Sequence, residues 1–263
     1  MKSYNAVSWL LDRNVEAGRG DKLAYTDTVS ELTYRGLQLR SCRVANMLRR
    51  LGVRREERVA MIMLDTVDFP AVFLGAMRAG IVPVPLNTLL TSEQYAYVLA
   101  DCRARVLFVS EALYPVVKDI VGRMPDLDCV VVSGANAFGH KLLAEELARE
   151  SDQFETVATH EDEPAFWLYS SGSTGRPKGI VHLQHDMAYS EQAFARTVLR
   201  LKPDDICFSV PKIFFAYGFG NAITFPFSAG ATTLLLPGQP KPAAVFDAIS
   251  RFHPTVFFGL PTL

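Results

Sequence analysis

The sequence predicts an α/β fold, with parallel-rich sheets covered by helices on both faces. Two observations carry this reading. Short, near-continuous apolar runs of strand length recur along the chain, and between them lie stretches with helical spacing of apolar residues. Apolar residues also make up 49% of the 263 positions, enough to bury a sizeable core and to exclude a disordered chain.

The elements follow in order. Val59 to Leu64 (VAMIML) is an apolar run of strand length. Asp68 to Arg78 reads as a helix: Asp68 suits its N-cap, Pro70 its first turn, and Gly80 stands just past its end. Ile81 to Leu86 reads as extended, but its two prolines exclude it from a central paired strand. Val106 to Ser110 and Cys129 to Ser133 are further strands, with a helix around Glu111 to Gly122 between them. Later strands are expected at Ile206 to Val210, Thr232 to Leu236 and Thr255 to Phe258, with helices around Gln184 to Leu199 and Pro242 to Phe252. The acidic, polar stretch Ser151 to Glu163 reads either as a linker between subdomains 1–150 and 164–263 or as a surface loop.

Several function classes are excluded. The net charge is −1 and there is no basic stripe, so no nucleic-acid partner is expected. No charged residue occurs from Ile213 to Pro240, a run longer than the ~20 residues a spanning helix needs. Asn221, Pro226 and Ser228-Ala229-Gly230 interrupt it, however, and Thr232 to Leu236 reads as a strand, so no membrane span is expected. Cys42, Cys102, Cys129 and Cys207 have no metal-like or redox spacing and read as reduced, buried thiols. The first residues show no secretory signal, which predicts a cytoplasmic protein. The chain stops on the apolar run FFGLPTL, which reads as a cut in the middle of a fold.

One stretch cannot enter a core: YSSGSTGRPKG, from Tyr169 to Gly179, directly behind the buried-type run Ala165 to Leu168. Gly172, Gly175 and Gly179 let the backbone approach a ligand closely. Successive N–H groups in such a turn form an anion-binding concavity. The hydroxyls of Ser170, Ser171, Ser173 and Thr174 add rotatable donors, and Lys178 adds a compact positive charge. Arg176 can add a fork, and the helical stretch beyond the loop can bring its N-terminus near. The Walker pattern does not fit, because Pro177 precedes Lys178 and Gly179 follows it. The dinucleotide fingerprint begins at Gly218 and Gly220 but meets Ile223 where a glycine or alanine belongs. The hydrolase elbow is absent around Ser173.

The loop resembles the phosphate loop of the adenylate-forming acid ligases: acyl-CoA and aryl-CoA synthetases, luciferases and peptide-synthetase adenylation domains. It matches that pattern at every position. Leu32-Thr33-Tyr34, Gly80 to Asn87, KIFFAYGFGN (Lys212 to Asn221) and HPTVFFGLPTL (His253 to Leu263) resemble further blocks of the family in order and spacing. The resemblance covers the whole chain but only about half of a full-length member, the N-terminal portion.

The resemblance implies ATP, Mg²⁺ and CoA as cofactor and co-substrates. A carboxylate attacks the α-phosphate of ATP, pyrophosphate leaves, and a thiol then displaces AMP from the acyl-adenylate. Ser170, Ser171, Gly172, Ser173, Thr174, Gly175 and Lys178 would hold the β- and γ-phosphates, with Lys178 as the catalytic charge. The segment Phe214 to Gly218 is most similar to that of benzoate-type aryl-CoA ligases and implies an aromatic carboxylic acid. Ala216 and Tyr217 would contact the ring, and Gly218 would leave room for it. Phe214, Phe215 and Phe219 also fit ordinary core positions. An alkanoate-CoA ligase, an adenylation domain serving a carrier protein, and a non-catalytic ligand-binding remnant are the alternatives. His182 and His185, three residues apart with Asp186 beside them, can be read as a metal pair on a helix, but no third ligand is apparent and no metal site is expected. His253, before Pro254, reads as structural. The family's adenine loop, ribose aspartate, hinge and C-terminal lysine domain lie outside these residues, so the 263-residue chain alone is expected to be inactive.

Overall fold

The computed structural model describes residues 4–171 and 176–261. In chain order the first strands are β1 (Leu23–Thr26), β2 (Glu31–Thr33), β3 (Arg58–Ile62), β4 (Val82–Pro85), β5 (Ala104–Ser110) and β6 (Cys129–Ser133). They continue with β7 (Lys141–Leu142), β8 (Pro164–Ser171), β9 (Pro177–Leu183), β10 (Ile206–Ser209), β11 (Thr232–Leu234) and β12 (Val256–Phe258). The helices begin with α1 (Tyr34–Arg50), α2 (Asp68–Arg78), α3 (Ser92–Cys102), α4 (Tyr114–Val121) and α5 (Leu143–Ala148). They end with α6 (Asp186–Ser190), α7 (Ala216–Phe219), α8 (Phe225–Ala229) and α9 (Pro242–Phe252). Two compact units result. The first comprises Met1–Asn5, Arg40–Leu64 and Val72–Gln184; the second comprises Ala6–Leu39, Asp65–Ala71 and His185–Leu263. The polar stretch Ser151 to Glu163 falls inside the first unit.

The first unit holds a sheet of order β4-β3-β5-β6-β7, parallel at every pairing. Its strand residues are buried almost without alternation, as expected where both faces are covered. Tyr95, Val98, Leu99 and Cys102 of α3 and Val117 and Val121 of α4 pack with Ile62, Leu107, Val109 and Val132 of the sheet. The prolines of β4 explain its place. The amides of Val82 and Leu86 donate to Glu57 O and Met61 O, both at 2.9 Å. Pro83 and Pro85 take the alternate positions, which have no donor to offer, so β4 is the outer strand of the sheet. Helix α3 was not anticipated from apolar spacing, yet it carries a reciprocal cap. Gln94 N–H donates to Thr91 Oγ1 (3.3 Å), and Thr91 N–H donates to Gln94 Oε1 (3.0 Å).

The second unit holds a sheet of order β12-β10-β11-β1-β2, parallel except where β2 turns back on β1. Phe208, Val210, Leu234 and Leu236 pack with Val245 and Ala248 of α9. The hydroxyls of Tyr25 and Tyr34 are buried and donate to Ala222 O (2.9 Å) and Ala231 O (2.7 Å). Burial therefore holds both phenols well above the usual tyrosine range. The helix expected over Gln184 to Leu199 begins at Asp186 and widens into a π-type helix from Glu191 to Leu199.

Among the described residues no helix is long and apolar enough to cross a membrane; the uncharged stretch is broken into α7, α8 and β11. None of the four cysteines, all among the described residues, is in a disulfide, and burial pushes the thiols of Cys102 and Cys207 up to about 12.

Candidate functional site

The glycine- and hydroxyl-rich loop is carried by an antiparallel hairpin of β8 and β9 in the first unit. The sequence reading lets the helical stretch that starts around Gln184 bring its N-terminus near the loop. Between the two β9 intervenes, because Ile180 and Val181 favour extended backbone and pair with Leu168 and Trp167. Gly172, Ser173, Thr174 and Gly175 lie outside the described residues. Ser171 is paired with Pro177, and Ser170 with Lys178. Directly opposed residues of an antiparallel pair share a face. Phe166, Leu168 and Ser170 therefore stand on one side with His182, Ile180 and Lys178. Phe166 and Leu168 are buried, whereas Ser170 and Lys178 are exposed, so this face runs from a core base to a polar tip.

The base of the loop is fastened to α3. Tyr169 donates its hydroxyl to the carboxylate of Asp101 at 2.5 Å. Burial, reinforced by that bond, holds the Tyr169 phenol well above the usual tyrosine range, so it remains a donor throughout neutral pH. On the other side of the loop the Arg176 guanidinium lies 5.6 Å from the centre of the Tyr97 ring. Tyr97 and Asp101 are one turn apart on α3, so one helix face meets both flanks of the loop. Gly179 lies close against two rings: a Cβ would stand 3.3 Å from both the Trp167 and Tyr169 rings, which would have to give by a few tenths of an ångström.

The histidines do not form a metal group on one helix. His182 is in β9, stacked on Phe166 with ring centres 4.6 Å apart. His185 precedes α6 and pairs with Asp186 at 3.3 Å. No group of three or more metal-ligating side chains occurs among the described residues.

The aromatic segment belongs to the second unit and follows β10 at the carboxyl edge of its parallel strands, where open α/β sheets take ligands. Phe214 and Phe219 are buried, as core residues are. Phe215 and Tyr217 are 48% and 47% exposed, and Ala216 between them is exposed too. Gly218 is buried. A Cβ there would lie 2.0 Å from Lys212 O and 2.5 Å from Pro211 O. The space beside Gly218 is taken by the chain's own backbone, which lets α7 fold directly onto the preceding turn.

A buried ion pair supports that turn. Lys212 Nζ lies 3.7 Å from Asp65 Oδ2, and it also donates to the carbonyl oxygens of Leu236 and, at 2.6 Å, Gly238. Burial raises the Asp65 carboxyl to about 6, against the opposing pull of Lys212 and of the Ile213 N–H. Burial likewise lowers Lys212, against the pull of Asp65. Sequence reading placed Lys212 only as the first letter of a segment and passed over Asp65. The available signal was an acid standing directly at the end of the apolar run VAMIML.

Comparison with known proteins decides the family. The model of the AMP-binding enzyme family matches residues 11–263. The chain belongs to the AMP-binding enzyme family. Among curated members, benzoate–CoA ligase of Thauera aromatica is 46% identical over 99% of this chain. Among solved structures of the AMP-binding family, a benzoate CoA ligase from Burkholderia xenovorans LB400 superposes with a TM-score of 0.91 at 39% identity. The match covers 99% of this chain and 51% of that one. The anthranilate CoA ligase AuaEII, solved in complex with anthranoyl-AMP, superposes with a TM-score of 0.94 at 36% identity. That match covers 99% of this chain and 49% of the other. The chain spans about half the length of the curated relatives it matches, 49% for the Thauera protein.

Proposed function

We propose that this chain is the phosphate- and acid-binding portion of an ATP-dependent aryl-CoA ligase of the benzoate type. The observation that carries the reading is the register of the β8–β9 hairpin: Ser170 and Lys178, both matched to the phosphate-loop pattern, are directly opposed on one exposed face. The similarity to benzoate–CoA ligase and to an anthranilate ligase bound to its acyl-adenylate supports the choice of acid.

The chemistry needs two displacements. In the first, a carboxylate oxygen bonds to the α-phosphorus of ATP as the bond to the bridging oxygen breaks, and pyrophosphate leaves. In the second, the sulfur of CoA bonds to the acyl carbon and AMP leaves. Little covalent work falls to the protein in the first step, so positioning and charge neutralisation dominate. Ser170 and Lys178, with Ser171, Gly172, Ser173, Thr174 and Gly175, would grip the β- and γ-phosphates and then the departing pyrophosphate. A lysine ammonium suits this task as a compact point charge. Magnesium would accompany ATP and neutralise part of its phosphate charge. The exposed Ala216 and Tyr217 would flank the aromatic ring, with Gly218 fixing their backbone. Such a protein works where ATP and CoA are supplied, which supports a cytoplasmic reading.

The test is pyrophosphate release by the complete gene product with ATP and a panel of acids. Benzoate-type acids are expected to be preferred over alkanoates, and product formation should require CoA rather than a carrier protein. Indifference to every aromatic acid on the panel would refute the assignment.

A further inference from the structure

We propose that Lys212 is a positioning residue for the acid slot: Asp65 holds it, and it sets where Ala216 and Tyr217 stand. The inference deepens the aryl-acid reading above and rests on it. An ammonium offers three donors; two go to the carbonyls of Leu236 and Gly238, and the Asp65 carboxylate faces the same ammonium as an ion pair at 3.7 Å. Two of its donors and its charge are thus engaged within the protein, which argues against Lys212 as a phosphate ligand. What it does instead is join three segments. Leu236 and Gly238 follow β11, Lys212 follows β10, and Asp65 lies just before α2.

The backbone of the same residue fixes the aromatic segment. Lys212 O accepts the Phe215 N–H at 3.0 Å and occupies the space beside Gly218, where a Cβ would lie only 2.0 Å away. The Ile213 N–H also favours the charged form of Asp65. Ser209 Oγ donates to Pro211 O at 3.0 Å, fastening the turn on its other side. A shift of the lysine therefore carries the first turn of α7 with it, and that turn bears the exposed Ala216 and Tyr217. A buried pair is costly to desolvate and is often no more stable than an apolar replacement. Its use here is registry: a directional hold on the slot that methionine cannot reproduce.

The experiment uses the complete gene product and reads kcat and KM for an aromatic acid and for ATP through pyrophosphate release. Lys212→Met is expected to raise the KM of the acid at least tenfold while that of ATP moves less than twofold. Lys212→Arg, which keeps the charge, should recover part of the loss. Asp65→Asn should show the same split in weaker form. The double variant Asp65→Asn/Lys212→Met should lie closer to the wild type than the two single effects multiplied together. Equal changes in both KM values, or an unmoved acid KM, overturn the proposal. Should Lys212→Met fail to fold by circular dichroism, the split in Lys212→Arg and Asp65→Asn decides by the same criterion. A wild-type protein without aromatic-acid-dependent pyrophosphate release overturns the parent reading too, and is recognised because it needs no substitution.

Discussion

Replacing Gly218 with alanine should destabilise the second unit, although alanine is the better helix former. Within a helix, glycine to alanine ordinarily gains ~1 kcal/mol. Here the new methyl would stand 2.0 Å from Lys212 O and 2.5 Å from Pro211 O, far inside the 3.4 Å at which such contacts become ordinary. Both obstacles are backbone, so no side chain can swing aside. Overpacking a core costs about 1–3 kcal/mol, and a rigid obstacle belongs at the upper end of that range. The net loss is then ~2 kcal/mol, or a fall in melting temperature of about 4–8 °C for a chain of this size. Gly122→Ala is the control: nothing lies within 4 Å of its methyl and its φ is −71°. That variant should be neutral or gain a few tenths of a kcal/mol, about 0.4 being typical. Thermal melts of the 263-residue chain, followed by far-ultraviolet circular dichroism, read both variants. If Gly218→Ala melts with or above the wild type, the close approach of α7 to residues 211–212 is wrong.

Four further outcomes are expected. The Asp65 carboxyl has a folded pKa of about 6, above the ordinary carboxylate value, so between about pH 6 and pH 4 the folded chain binds a proton that the unfolded chain does not. Stability relative to Asp65→Asn should therefore rise as pH falls through that window; urea titrations at pH 7, 5.5 and 4.5 that show parallel curves contradict this. Tyr169→Phe removes the bond to Asp101 and should cost about 1 kcal/mol in urea unfolding, with no effect if the hairpin is not tethered there. Lys178→Ala in the complete gene product should lower ATP-dependent pyrophosphate release about 10²-fold, by analogy with loss of a single transition-state donor, and near-wild-type release would remove the lysine from the phosphate site. The purified 263-residue chain, given ATP and benzoate, should yield no acyl-adenylate by mass spectrometry, since it spans about half the length of its curated relatives; product at an appreciable rate would show that half sufficient.

Much was legible in the sequence because it is local. VAMIML and CVVVS are too apolar to be anything but buried, and the alternation of such runs with helical spacing implies parallel sheet. The prolines at 83 and 85 foretold an outer strand, because a residue without an N–H cannot serve two neighbours. The composition of the Tyr169 to Gly179 loop, glycine backbone with hydroxyls and a cation, is what leads to the proposal of an anion site there. The helix α3 was legible in principle, through the Thr91 and Gln94 cap, but its apolar face is too weakly periodic to reveal it alone.

Other features were decided only by folding. The strand after the loop is exposed on both faces at Ile180 and Val181, so neither alternation nor continuity marks it. Only its pairing with β8 makes it a strand and brings Ser170 opposite Lys178. Tyr169 meets Asp101 across 68 residues, and Lys212 meets Asp65 across a still longer gap in the chain. Side-chain chemistry is written in the residues themselves, but a partner so far away is chosen by strand register and helix packing. The same holds for Gly218: the sequence shows a missing side chain, and only the fold shows that a carbonyl oxygen takes its place.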